Sequence, residues 1–125
     1  MENETKTLKS GASLYITLAP FQEGHKLFKV VTRLMASMDA QTVLNERLVL
    51  KILSSEEVEQ ALWPCMARAT YDGVKITPEL FESAKIRCDF LTIATDVLNF
   101  NLAPFFPNLV SLSTVPLEEN TENLK

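Results

Sequence analysis

The chain has 125 residues, enough for one domain around a single core. A hydrophobic fraction of 46% and a charged fraction of 22% exclude a disordered chain, and a net charge of −4 gives no concentrated basic footprint for nucleic acid. No apolar run approaches the roughly 18 residues that span a bilayer, and Met1-Glu2-Asn3-Glu4 lacks the basic-then-apolar order of a signal peptide, so a soluble cytosolic protein is expected.

Residues 13–18 alternate, with Leu14, Ile16 and Leu18 set against Ser13, Tyr15 and Thr17. Period two in β-branched and aromatic residues predicts a strand. Ser10-Gly11 reads as a turn, which makes residues 5–9 the partner strand of a hairpin. Two strands alone are marginal in water. The Leu14, Ile16 and Leu18 side must therefore lie on helices or pair with another chain's edge, and no larger sheet is expected.

Pro20 stops the strand and suits a first helical turn, where its missing N–H would be unpaired anyway. From residue 21, Leu27, Phe28, Val31, Leu34, Met35 and Met38 share one helix face, with His25 on the surface of the first turns. Lys26, Lys29 and Arg33 lie mostly off that face; they form either a basic patch or, more simply, a solvated face. A short link at 39–42 leads to a second helix over 43–53, with Val43, Leu44, Leu48, Val49 and Ile52 inward.

Ser54 to Glu57 fits S-x-x-E, the capping box that starts a third helix. Glu56, Glu57 and Glu59 suit the positive end of its dipole. That position accounts for them better than catalysis does, because no second group is placed to work with them. Pro64 removes a hydrogen bond inside this helix, at a cost of about 3 kcal/mol, which predicts a kink or break at 62–63. Trp63 beside it is either a core anchor or an interface hot spot. The helix should end near Tyr71-Asp72-Gly73, with the glycine supplying a left-handed end. Cys65 and Cys88 are too far apart for a C-x2-C pair, and His25 is the sole imidazole, so no metal or other cofactor is expected. Both thiols read as free and buried.

The last helix has the clearest start: Thr77 as cap, Pro78 as first helical residue, Glu79 in the first turn, and Ile76 meeting Phe81 as a hydrophobic staple. A single long helix is predicted over 77–103, stopped by Pro104. One stripe carries Phe81, Ala84, Cys88, Leu91, Thr95, Leu98 and Leu102; a second side carries Phe90, Ile93, Val97 and Phe100, with Arg87 and Asp89 interrupting midway. A helix apolar on two sides is the centre of a bundle or half of an interface. Beyond it come Phe105, Phe106, Leu109, Val110 and Leu112, then an acidic end from Pro116. The apolar run either folds back onto the core or reaches for a partner, and the prolines at 104, 107 and 116 favour an extended form. The expected organisation is a mainly α domain over 1–107, with four to five helices and a short N-terminal hairpin at 5–18, followed by a flexible tail over 108–125. No catalytic constellation accompanies these elements, so the reading is a binding protein and not an enzyme. The candidate partner-binding residues are Trp63, Phe90, Phe100, Phe105, Phe106, Leu109 and Val110.

Four segments also carry a resemblance. Leu18-Ala19-Pro20-Phe21 opens a helix after a short hairpin. Ala61-Leu62-Trp63-Pro64-Cys65-Met66-Ala67-Arg68-Ala69-Thr70-Tyr71-Asp72-Gly73 follows an acidic cap. Lys75-Ile76-Thr77-Pro78-Glu79-Leu80-Phe81 starts the last helix, and Asn99-Phe100-Asn101-Leu102-Ala103-Pro104-Phe105 ends it. In this order, and in a chain of this length, they are similar to the small tail assembly chaperones of long-tailed, siphovirus-like bacteriophages and prophages. The segments cover most of residues 14–106; none is a catalytic signature, and Pro64 departs from the more regular helix of the family. The resemblance implies a non-enzymatic protein of the host bacterial cytoplasm that coats the long, helix-prone tape-measure protein, keeps it soluble, recruits tail-tube subunits and is absent from the finished particle. It also implies self-association, at least to a dimer. Neither nucleic acid nor membrane is an expected partner. The alternative is a structural virion part, such as a head–tail connector or tail-terminator subunit. A small enzyme or regulator is disfavoured by the missing active-site set and basic patch.

Overall fold

A computed structural model describes residues 3–37 and 46–106. The alternating N-terminal segment forms a hairpin, β1 (Asn3–Thr7) with β2 (Ser13–Thr17), in which Glu4 faces Ile16 and Lys6 faces Leu14. Leu14 and Ile16 are fully buried, while Ser13 and Tyr15 point outward. The partner strand is 3–7 and not 5–9, because Leu8 belongs to the turn. Its N–H donates to the Ala12 carbonyl, Gly11 N–H returns to the Leu8 carbonyl, and Gly11 takes φ +95°.

The sheet is larger than the sequence reading allowed. Tyr71-Asp72-Gly73, expected to end a helix, instead enters a second hairpin, β3 (Thr70–Tyr71) with β4 (Val74–Lys75), turned at Asp72-Gly73. Asp72 at φ +50° and Gly73 at φ +83° give the paired positive φ of a tight hairpin turn, for which Asp-Gly is a favoured sequence. β3 pairs with β2, so the strand order is β1-β2-β3-β4. Asp72 fixes that pairing twice: its carboxylate accepts Ser13 N–H at 2.7 Å, and its own N–H donates to the Ser13 carbonyl at 2.8 Å.

The helices are α1 (Phe21–Ser37), α2 (Glu46–Leu53), α3 (Glu56–Met66), the single turn α4 (Ala84–Arg87) and α5 (Phe90–Leu102). α1 follows Pro20 as expected. Leu27 and Val31 are buried, and Phe28, Leu34 and Met35 are half-buried against the core. Ile52 of α2 is buried and Val49 packs beside it; Met38, Val43, Leu44 and the side chain of Leu48 lie outside the described residues. The cap of α3 is Ser55, whose hydroxyl accepts Val58 N–H at 3.4 Å, one residue later than the capping-box reading. Ser54 is committed to ending α2, with its hydroxyl on the Lys51 carbonyl at 2.8 Å. Pro64 does not break α3. It sits exposed in the last turn, and the helix runs on to Met66.

The C-terminal half departs most. The predicted helix over 77–103 is three pieces: a 3-10 turn at Pro78–Glu82, then α4, then α5. Ser83 has an extended backbone (φ −75°, ψ 126°) and caps α4, accepting Ile86 N–H at 3.5 Å. Cys88 and Asp89 form a second joint before α5. Thr77 precedes the 3-10 turn with an extended backbone but makes no side-chain cap. Ile93, Ala94, Val97, Leu98, Asn101 and Leu102 of α5 are buried against α3, α1 and β2. Ala84, Cys88 and Leu91 of the predicted inner stripe are exposed; Leu91 stands in the first turn of α5, on the same side as the buried Leu98. α5 ends where Pro104 should stop it, in a 3-10 turn at Ala103–Phe105. The tail expected over 108–125 lies outside the described residues. Among the described residues, no helix is long and apolar enough to cross a membrane.

Asn101 ties the two ends together. Its side-chain oxygen accepts Ala19 N–H at 2.9 Å, and its amide donates to the Val97 carbonyl at 2.9 Å, all in the interior. An Asn101→Leu change keeps the bulk and orphans the Ala19 N–H. Urea unfolding should show a loss of about 1–3 kcal/mol.

Candidate partner-binding surface

Four of the candidate residues, Trp63, Phe90, Phe105 and Phe106, fall in two aromatic clusters. In the first, Trp63 meets Phe81 edge-on at 6.3 Å, and Phe81 meets Phe90 at 5.1 Å and 89°. Phe81 is buried, whereas Trp63 and Phe90 are half-buried and packed on the core, as is Phe100. The indole N–H of Trp63 reaches the exposed Glu59 carboxylate at 3.4 Å. Trp63, Phe90 and Phe100 are thus anchored on the core and partly exposed. Perpendicular ring pairs of this kind add about 0.5–1.5 kcal/mol beyond their buried area.

The second cluster lies on α1. Phe105 stacks on Phe28 at 4.6 Å, and Phe106 tilts against the same ring at 5.6 Å. His25 stacks between Phe21, at 4.9 Å, and Phe28, at 6.2 Å. The chain therefore folds back through Phe106, turned by the Phe106 N–H to Ala103 carbonyl bond of 2.9 Å, and is not extended there. Leu109 and Val110, with Leu112, lie outside the described residues.

Among the described residues, Phe21, Leu50 and Leu91 are exposed apolar side chains that the sequence does not mark as surface, as is Val74 in β4. Phe21 is 68% exposed, Leu50 44% and Leu91 49%. Leu50 and Leu91 face each other across an open groove of about 320 Å³ between α2 and α5, with Val49 and Leu53 on one wall and Thr95 and Asp96 on the other. Burial pushes the Asp96 carboxyl up, against the opposing pull of the Lys6 ammonium 3.6 Å away. Leu91 stands seven residues before the buried Leu98, so helical counting places it inward, yet it lies in the first turn of α5 and is exposed. Leu50 lies beside the inward face of α2, and no local signal marks it.

The two thiols differ. Cys65 is buried, and burial, aided by the Glu23 charge, pushes its pKa up to about 11. Cys88 is exposed, contrary to expectation, because it falls in the α4–α5 joint. Near Cys65, Arg68 grips Glu23 with two bonds of 2.9 and 3.1 Å, linking the end of α3 to α1 and holding the Glu23 carboxyl below its ordinary range. Among the described residues, no three His, Cys, Asp or Glu side chains gather as a metal site would need.

The packing of Phe105 and Phe106 on Phe28 has a direct consequence. A double Phe105→Ala, Phe106→Ala protein should lose about 2–4 kcal/mol and melt at clearly lower temperature. An unchanged melting temperature would show that the rings do not contribute to the core. Set beside known proteins, the chain matches no family model, and neither curated proteins nor solved structures return a match.

Proposed function

We propose that this protein is a non-enzymatic tail assembly chaperone of a long-tailed phage or prophage, which holds the tape-measure protein soluble in the host cytoplasm and promotes tail-tube assembly. One observation supports the reading above others. The four resembling segments meet in pairs at the joints of the fold. Asn101 accepts Ala19 N–H, and Phe21 lies 6.1 Å from Phe105, which joins the first segment to the last. Trp63 packs on Phe81, and Ile76 N–H donates to the Ala69 carbonyl, which joins the second to the third. The resemblance thus rests on residues that set the framework, as expected for a family without an active site.

The α2–α5 groove suits the role in kind. A holdase needs exposed apolar surface, and Leu50 and Leu91 supply it on an acidic domain. The same groove offers a face for self-association to a dimer.

Co-expression with the tape-measure protein of the same phage should yield a soluble complex that co-purifies. Leu50→Glu with Leu91→Glu should lower the recovered complex at least about tenfold without unfolding the domain. The protein should also be present in infected-cell lysate and absent from purified particles. Its recovery from particles in stoichiometric amount would overturn the proposal in favour of a connector or tail-terminator subunit.

A further inference from the structure

The outer face of α1 carries a second, unlike surface. Lys26, Lys29 and Arg33 follow one another at helical spacing over about two turns. Like charges so placed repel one another, and little offsets this. Arg33 reaches Glu57 at 3.9 Å, a pair exposed on both sides and worth little. Among the described residues, Lys26 and Lys29 enter no ion pair. On a chain of net charge −4, this is a local positive stripe on an acidic molecule.

The stripe borders an open groove of about 530 Å³ between α1 and α3. Phe21 and Val30 give it apolar walls, and Glu57 stands on the α3 side. Phe21 does not hang free: its ring is stacked on His25 at 4.9 Å and 16°, and His25 in turn on Phe28. An exposed ring held in this way loses little freedom on binding.

We infer that this groove docks an acidic, amphipathic segment of a partner protein, with its carboxylates on Lys26 and Lys29 and an apolar side chain against Phe21. Charge complementarity selects the sign of the partner. The Glu57 carboxylate in the wall and the overall negative charge disfavour a polyphosphate or nucleic acid, which would bring dense charge to the whole groove. A peptide brings separate carboxylates and apolar anchors, as the groove requires. The inference does not depend on the identity of the tape-measure client.

The test uses the full chain and two labelled helical peptides of about 20 residues, each with leucines at i, i+3, i+4 and i+7. One has glutamates flanking the leucine stripe and the other has lysines. Fluorescence anisotropy should show the acidic peptide bound at least about tenfold more tightly than the basic one, its binding weakening as salt rises. Lys26→Glu with Lys29→Glu should lower its affinity at least about tenfold. Phe21→Ala should weaken it with every charge retained, and Lys85→Glu on α4 should leave it unchanged. Equal binding of both peptides, or indifference to the Lys26 and Lys29 reversal, overturns the inference. So does binding that emerges only after Glu118→Gln, Glu119→Gln and Glu122→Gln in the full chain, since the occupant would then be the chain's own acidic end. None of these readouts involves a tape-measure protein, so failure here leaves the chaperone proposal standing.

Discussion

The architecture turns on one buried carboxylate. Asp89 is 7% exposed, and its Oδ2 accepts the Ser10 hydroxyl at 2.6 Å and the Tyr71 hydroxyl at 2.8 Å. Ser10 belongs to the turn of the first hairpin, Tyr71 to the strand that opens the second, and Asp89 itself precedes α5. Both hairpins are thereby fastened to the start of the most buried helix. A carboxylate removed from water needs partners, and here it has two hydroxyl donors and the positive end of the α5 dipole. Burial, with the Asp89 hydrogen bond, pushes the Tyr71 phenol up, so it keeps its proton and remains the donor.

Asp89 stands four residues before Ile93, so its side chain lies near the buried side of α5. With the joint in place, α5 starts afresh and lays Ile93, Val97 and Leu98 on α3 and β2. Leu91 is left facing Leu50 across the α2–α5 groove. The cationic groove lies elsewhere, between α1 and α3, so the two proposed partners would not compete for one surface.

Much of the scaffold could be read locally. Leu14 and Ile16 alternate with polar neighbours and mark β2; Pro20 marks the start of α1; Pro104 marks the end of α5. What stayed hidden required long-range information. Gly73 needs a positive φ whether it ends a helix or turns a hairpin, and only the pairing of Asp72 with Ser13, 59 residues away, decides between them. Helical periodicity is likewise blind to a single extended residue, so Ser83 passed unnoticed between two apparently continuous stripes. The Asp89 network joins residues 79 and 18 positions apart and leaves no mark in any window. Of the candidate binding residues, Phe105 and Phe106 leave core and partner open in the sequence, and the structure stacks both against Phe28. Phe21 was missed, because counting inward residues passes over an aromatic that stands before the first of them.

The most direct measurement is equilibrium urea unfolding of Asp89→Ala beside Asp89→Asn and Ser10→Ala. If the carboxylate holds both hairpins to α5, Asp89→Ala should lose at least about 2 kcal/mol. Asp89→Asn should lose less, because its amide oxygen still accepts a hydroxyl, and adding Ser10→Ala to Asp89→Ala should cost little more. An Asp89→Ala protein as stable as the parent would contradict the account.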